Sequence, residues 1–242
     1  MTIKFSLCFF VVSFLFLSVV QSIRADEGSI YNFSWLDPDK EVYVLQNRKY
    51  RKVSRAHINL GYAHTLSGAF IDAHGLQGRA GFFFTENWGF EGIYSKQSGK
   101  ENETAASVRN VGGTGSVPFR RITESYMGAM LLWSPFYAKI NTFNKIVYMD
   151  WIIGIGYATL EEKNNREELD RTVINYVPKS ETHGSIMWDM AFKFYFSENW
   201  HTRIDLTAIH YKAQKATTTS TAADQTWFSN FDLVVSLGLN IF

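Results

Sequence analysis

Apolar and polar residues alternate along most of this chain, and the alternation is interrupted at two copies of one motif. Residues 82–88 read FFFTENW and residues 194–200 read FYFSENW. Alternation with a period of two marks a strand with unlike faces, and a short polar interruption within it predicts a hairpin. Opposed residues of an antiparallel pair share a face. With Phe84 and Trp88 both apolar-side, Thr85, Glu86 and Asn87 form a three-residue tip, and Ser197, Glu198 and Asn199 repeat it between Phe196 and Trp200. Loops of this length usually end in a left-handed residue, a place Asn tolerates.

Following the phase outward gives one uncharged stripe per strand. Around the first tip it is Leu76, Gly78, Ala80, Phe82, Phe84, then Trp88, Phe90, Gly92 and Tyr94; around the second, Ile186 to Phe196 and Trp200 to Ala208 on even positions. Three further segments separate in the same way, with Ala56, Ile58, Leu60 and Tyr62, with odd positions from Val147 to Tyr157, and with odd positions from Phe231 to Ile241. The predicted strands are 53–64, 75–84, 88–97, 121–134, 146–160, 182–196, 200–211 and 228–241. In the fourth, the two phases do not separate. Connections alternate between short (the two tips and residues 134–145) and long and polar (65–74, 98–120, 161–181 and 212–227).

A soluble sandwich would turn the aromatic face inward. Three features favour a transmembrane antiparallel up-and-down β-barrel of eight strands instead. The stripes suit strands of the ~9–11 residues that cross a bilayer at a tilt. Trp and Tyr recur at stripe ends, at Tyr62, Trp88, Tyr94, Tyr157 and Trp200, as rings seated at a membrane interface do. Residues 1–25, with Lys4 ahead of an apolar run, read as a cleaved secretory signal peptide. The only cysteine, Cys8, lies in that leader, so disulfides do not hold the exported chain. No later stretch is long and apolar enough for a helical span. The expected compartment is the bacterial outer membrane, with short turns periplasmic and long loops outside. Residues 26–52 form a charged segment before the barrel, which spans 53–242.

The run LDPDKEVYVLQNRKYRK, the FFFTENWGFE hairpin, the block LLWSPFYAKINTFNKIVYMDW and the IIGIGYA strand resemble outer membrane β-barrel domain proteins of myxobacteria and predatory relatives, from about Leu36 to the C-terminus. The resemblance implies the same fold and compartment and brings no catalytic residues. Phe242 falls one residue out of phase with the stripe ending at Ile241, unlike the usual C-terminal assembly signal.

Charge enters through the other phase. It places Arg55, Arg79, Lys193 and Arg203 inside with Glu91, Asp150, Asp189, Asp205 and Asp232. An eight-stranded lumen is only wide enough for side chains, so these groups are expected to neutralise one another, with Arg79–Glu91 and Lys193–Asp205 as the preferred diagonal pairs. His64, His74, His183 and His210 are expected near the outer rim, His57 inside, with Ser67 and Ser185 the nearest hydroxyls; no arrangement has the specificity of a catalytic motif. The acidic run 161–170 is offset by its own basic residues, GGTGS lacks the lysine of a phosphate cradle, and no spacing predicts a metal or cofactor. Removing Lys4 and Arg24 with the leader takes the formal charge from +1 to −1, without a nucleic-acid footprint. The expected partners are outer-membrane lipids and, as an alternative, further copies of the chain. Three functions follow: a structural or surface-interaction barrel; a narrow pore or a ring of barrels enclosing a pore or lipid; and a lipid-modifying enzyme as the third.

Overall fold

The computed structural model describes residues 48–110, 117–142, 145–169, 177–216 and 224–241. The leader, residues 26–47, all of GGTGS, the last part of the acidic loop, most of the TTTSTAAD tip and Phe242 lie outside the described residues. Eight strands close into one barrel in sequence order, each antiparallel to the next: β1 Arg55–Thr65, β2 Ile71–Phe83, β3 Trp88–Glu101, β4 Arg121–Thr142, β5 Lys145–Asn164, β6 Lys179–Tyr195, β7 Trp200–Gln214 and β8 Gln225–Ile241. β8 pairs back with β1, Ala56 opposite Ile241, so no sheet edge is left along the wall. A short helix, α1 Glu103–Asn110, follows β3. The side chain of Asn102 caps it, accepting the Ala105 amide at 3.0 Å.

The phase places the side chains. Leu60, Leu76, Phe90, Met127 and Ile155 stand outside and more than half exposed, while Gln77, Arg79, Glu91, Asp189 and Arg203 on the alternate positions are buried. The interior is packed in two ways. Most of its polar groups come from β1, β2, β3, β6, β7 and β8, while Tyr126, Met130, Leu132, Ile152, Met187 and Ile209 belong to an apolar cluster to which β4 and β5 contribute most. That cluster explains why the fourth strand looked unpatterned: its inward positions 126, 130 and 132 are as apolar as its outward ones. Inward glycines make room. A Cβ on Gly238 would lie 2.1 Å from Asn59 Oδ1 and 2.2 Å from His201 Nε2.

Two expectations are corrected. Residues 134–145 were expected as a short connection, whereas β4 runs to Thr142 and β5 begins at Lys145. The pair continues past Trp133, the last partner of β3, first with β6 still beside β5 as far as Tyr148 and then as a two-stranded ribbon. A register shift between Trp133 and Phe136 absorbs Pro135, which has no amide for the ladder. The tips also differ from expectation. Asn87 and Asn199 do not take the left-handed conformation; among described residues the only non-glycine with positive φ is Ser54, at 58°. Instead the Thr85 hydroxyl accepts the Trp88 amide at 2.9 Å and the Ser197 hydroxyl accepts that of Trp200 at 3.0 Å, so the tip is closed by a side chain.

Gly238→Ala should separate Asn59 from His201 and lower stability by about 1–3 kcal/mol, the cost of leaving buried polar groups unpaired. The midpoint of urea unfolding of the refolded protein reads it.

Candidate functional site

Among the described residues, a dense constellation of ionisable groups fills the barrel interior at the middle of the wall. Glu91 on β3 accepts from three directions: His57 Nε2 at 2.7 Å, Arg79 Nη1 at 3.0 Å and Arg203 Nη1 at 2.6 Å. Asp189 on β6 meets the same two arginines, Arg79 Nη2 at 2.9 Å and Arg203 Nη2 at 3.1 Å, and accepts the Thr207 hydroxyl at 2.7 Å. Asp205 lies 2.6 Å from Arg203 Nε and 3.2 Å from Arg79 Nη1. Two guanidiniums are thus shared among three carboxylates, each fork used in several directions. Because β2 is not a neighbour of β6, nor β3 of β7, the Arg79–Asp189 and Arg203–Glu91 bonds cross the lumen.

A second layer lies toward the long loops. Arg79 Nε donates to Gln77 Oε1 at 2.7 Å, Gln77 Nε2 to the Tyr126 hydroxyl at 2.6 Å, and that hydroxyl to Asp232 Oδ2 at 3.0 Å. Asp232 has no cation in contact among the described residues. Its charge is carried by hydrogen bonds, with Gln97 Nε2 at 2.6 Å, Asn230 Nδ2 at 3.0 Å and the Thr65 hydroxyl at 2.8 Å also in its shell.

At the short-turn end, Lys52 enters from below. Its ammonium lies 2.8 Å from Asp150 and 2.5 Å from the Ser134 hydroxyl, and Tyr195 also donates to Asp150. Burial lowers the Lys52 ammonium below the usual lysine range, with Asp150 pulling the other way. Tyr50 stacks on Tyr195 at 4.9 Å. Glu86, from the first tip, accepts the backbone amides of Lys52 at 3.1 Å and Val53 at 3.3 Å, so the tip holds the incoming segment in place.

Set against expectation, Arg79 and Glu91 are in contact, while Lys193 and Asp205 are not. The register puts Lys193 opposite Arg203 and Asp205 opposite Ala191; Lys193 bonds Asn240 Oδ1 at 2.8 Å and Asp205 takes both arginines. Arg55 begins β1 half-buried, opposite the buried Phe83; the ammonium beside Asp150 is that of Lys52. Lys52, Tyr126, Tyr195, Thr207 and His201 are among the interior groups sequence reasoning did not single out. The inward phase of β7 already marked His201 and Thr207; nothing local marked Lys52.

Tyr62, Trp88, Tyr94, Tyr157 and Trp200 all face outward. Trp88 stacks on Trp133 at 6.1 Å. His64 and His74 also face outward, whereas His183 turns inward at the mouth. Ser67 bonds Asn230 at 2.7 Å and Ser185 is buried against the Ala158 carbonyl at 2.6 Å. Among the described residues, one serine–histidine contact lies on the outer face, Ser229 Oγ to His210 Nδ1 at 2.7 Å. Trp188 Nε1, which can only donate, points at His210 Nε2 from 2.9 Å. Nε2 is therefore the acceptor nitrogen and Nδ1 carries the proton, so His210 donates to Ser229 and cannot take its proton in this arrangement.

The long-loop end is tied down by ions. Arg120 bridges Glu101 and Glu168, and Arg109 of α1 reaches the same Glu101 at 2.9 Å. Burial would push the Glu168 carboxyl up, but the Asn165 amide and the Arg120 guanidinium outweigh it and hold it below the usual range.

No protein-family model and no curated protein matches the sequence. Among solved structures the barrel is similar to the attachment invasion locus protein Ail of Yersinia pestis, at 12% identity and TM-score 0.40, over 78% of this chain and 99% of that one. It is similar to the N-terminal β-barrel domain of Pseudomonas aeruginosa OprF, at 12% and 0.46, over 78% and 98%. The outer membrane protein OprG of the same organism matches at 10% and 0.41, over 81% and 99%. At these identities the likeness is one of fold.

Arg79→Leu should lower the unfolding free energy by about 3–5 kcal/mol, because three buried carboxylates are left with one guanidinium; a fall in the heat-modified gel-shift temperature reads it. Lys52→Met should destabilise through Asp150, and adding Asp150→Asn should recover part of the loss in a double-mutant cycle.

Proposed function

We propose that the protein is an integral β-barrel of the bacterial outer membrane with a structural, surface-interacting role: the barrel is a rigid anchor and the long-loop face makes the contacts. The observation that carries this reading is the pair of cross-lumen bridges, Arg79–Asp189 and Arg203–Glu91. A route for solutes would have to break several buried charge-assisted bonds, each costly with one partner removed. The outward belt of Leu60, Leu76, Phe90 and Ile155 supports seating in acyl chains, and the leader over residues 1–25 supports export. The resemblance of the quoted segments to the myxobacterial barrel-domain proteins is in keeping with this placement. Outer-membrane lipids are the first partners.

The ring of barrels remains as a second reading on one observation: Gly78 and Gly92 leave a flat outer patch with Ala80, and a Cβ on Gly78 would meet nothing within 4 Å. Small residues of this kind let neighbouring walls approach closely. The enzyme reading loses ground, since the one outer-face serine–histidine pair has its proton on the wrong nitrogen for a general base.

Purified, refolded protein in planar bilayers should give no steady conductance steps; regular single-channel steps would sink the anchor reading. Leu60→Arg should weaken membrane insertion by about 2–4 kcal/mol if the residue lies near the bilayer midplane, read from the folded fraction at increasing urea in lipid vesicles. Unchanged insertion would mean that this face does not meet lipid. Incubation with labelled phospholipid should release no acyl chain.

A further inference from the structure

Like charges directly opposite on adjacent strands repel, yet β5 and β6 set Glu162 opposite Glu181 inside the barrel mouth, with His183 two residues along on the same face. Each carboxylate has one oxygen held by a cation, and the Tyr211 hydroxyl also hydrogen-bonds Glu162. Glu162 Oε1 lies 2.7 Å from Arg121 Nε and accepts from Asn164 Nδ2 at 3.1 Å; Glu181 Oε1 accepts from Arg166 Nη2 at 2.6 Å and has Lys179 Nζ at 3.5 Å. The remaining oxygens turn to His183: Nε2 lies 3.8 Å from Glu162 Oε2 and 3.9 Å from Glu181 Oε2. Glu162 is fully buried, and its Oε2 has no hydrogen bond, nor has His183 Nε2. A buried carboxylate oxygen and a buried imidazole nitrogen aimed at one another without a bond are costly unless something sits between them.

We propose that Glu162, Glu181 and His183 form a divalent transition-metal site in the mouth of the barrel, with zinc the ion it fits. This inference stands apart from the anchoring role. The three donor atoms lie within 4.8 Å of one another, so an ion at the ~2.0–2.2 Å of zinc–nitrogen and zinc–oxygen bonds needs only small side-chain shifts. Imidazole beside two carboxylates selects zinc and its neighbours over calcium or magnesium, which take oxygen alone. Arg121 and Arg166 hold the two carboxylates through their other oxygens, and Tyr211 stacks on the His183 ring at 5.4 Å, so the donors are oriented in advance. The same arginines, with Lys179, reduce the site's negative charge, so the ion exchanges with the medium and is not locked in at folding. Glu181 and His183 are partly exposed, so water would supply the fourth ligand.

The test is equilibrium dialysis of the full refolded chain in detergent against zinc chloride at micromolar free metal. The expected result is one zinc per chain. Glu181→Gln and His183→Gln should each weaken binding about tenfold or more, while His74→Gln on the outer face changes nothing. Cobalt(II) should give a visible absorption band in the wild type that His183→Gln abolishes. Should His183→Gln fail to give the heat-modified band, Glu181→Gln, nearer the solvent, reads the same triangle of donors. Absence of zinc uptake, uptake unaltered in the folded variants, or calcium bound as strongly as zinc would each overturn the proposal.

Discussion

A closed cylinder of eight strands encloses a space that side chains alone must fill, and charge neutrality within that space governs the rest. Ions cannot be left bare in so narrow an interior. The arginines therefore serve several carboxylates at once, and their forks tie together strands that the ladder does not connect. Arg79 alone links β2 to β3, β6 and β7. The wall fixes the diameter, and the interior braces it from within.

The two kinds of interior packing do different work. Apolar packing of Leu132, Ile152 and Met187 resembles the core of a soluble domain. Among the polar groups directional bonds set the arrangement, and a relay from Arg79 through Gln77 and the hydroxyl of Tyr126, itself a member of the apolar cluster, reaches Asp232. The outer wall needs neither device, since its apolar residues meet a solvent that accepts them.

Much of the fold was legible because a period of two records sidedness at every position. Strand number, order and the inward placing of Glu91, Asp189 and Arg203 follow from phase alone. The fourth strand was obscure for a physical reason: where both faces are apolar, alternation carries no signal. Pairings were less legible than placements. Phase says that Lys193 and Asp205 share the interior, but only the register, which sets Arg203 opposite Lys193, decides who meets whom. Glu162, Glu181 and His183 are separated by a long loop, and their convergence depends on the same register. Lys52 could not be read at all, because it lies outside any strand and its partner Asp150 is far along the chain.

Lys52 also bears on how the barrel is completed. Asp150 belongs to β5, in the middle of the wall, yet its cation arrives from the segment that leads into β1, which must meet β8 to shut the cylinder. Until the seam between the first and last strands is made, that aspartate has only Lys193, its partner across the β5–β6 ladder, for a cation. The base of the barrel thereby acts as a latch, fastened by the chain's own beginning and only after its end is in position.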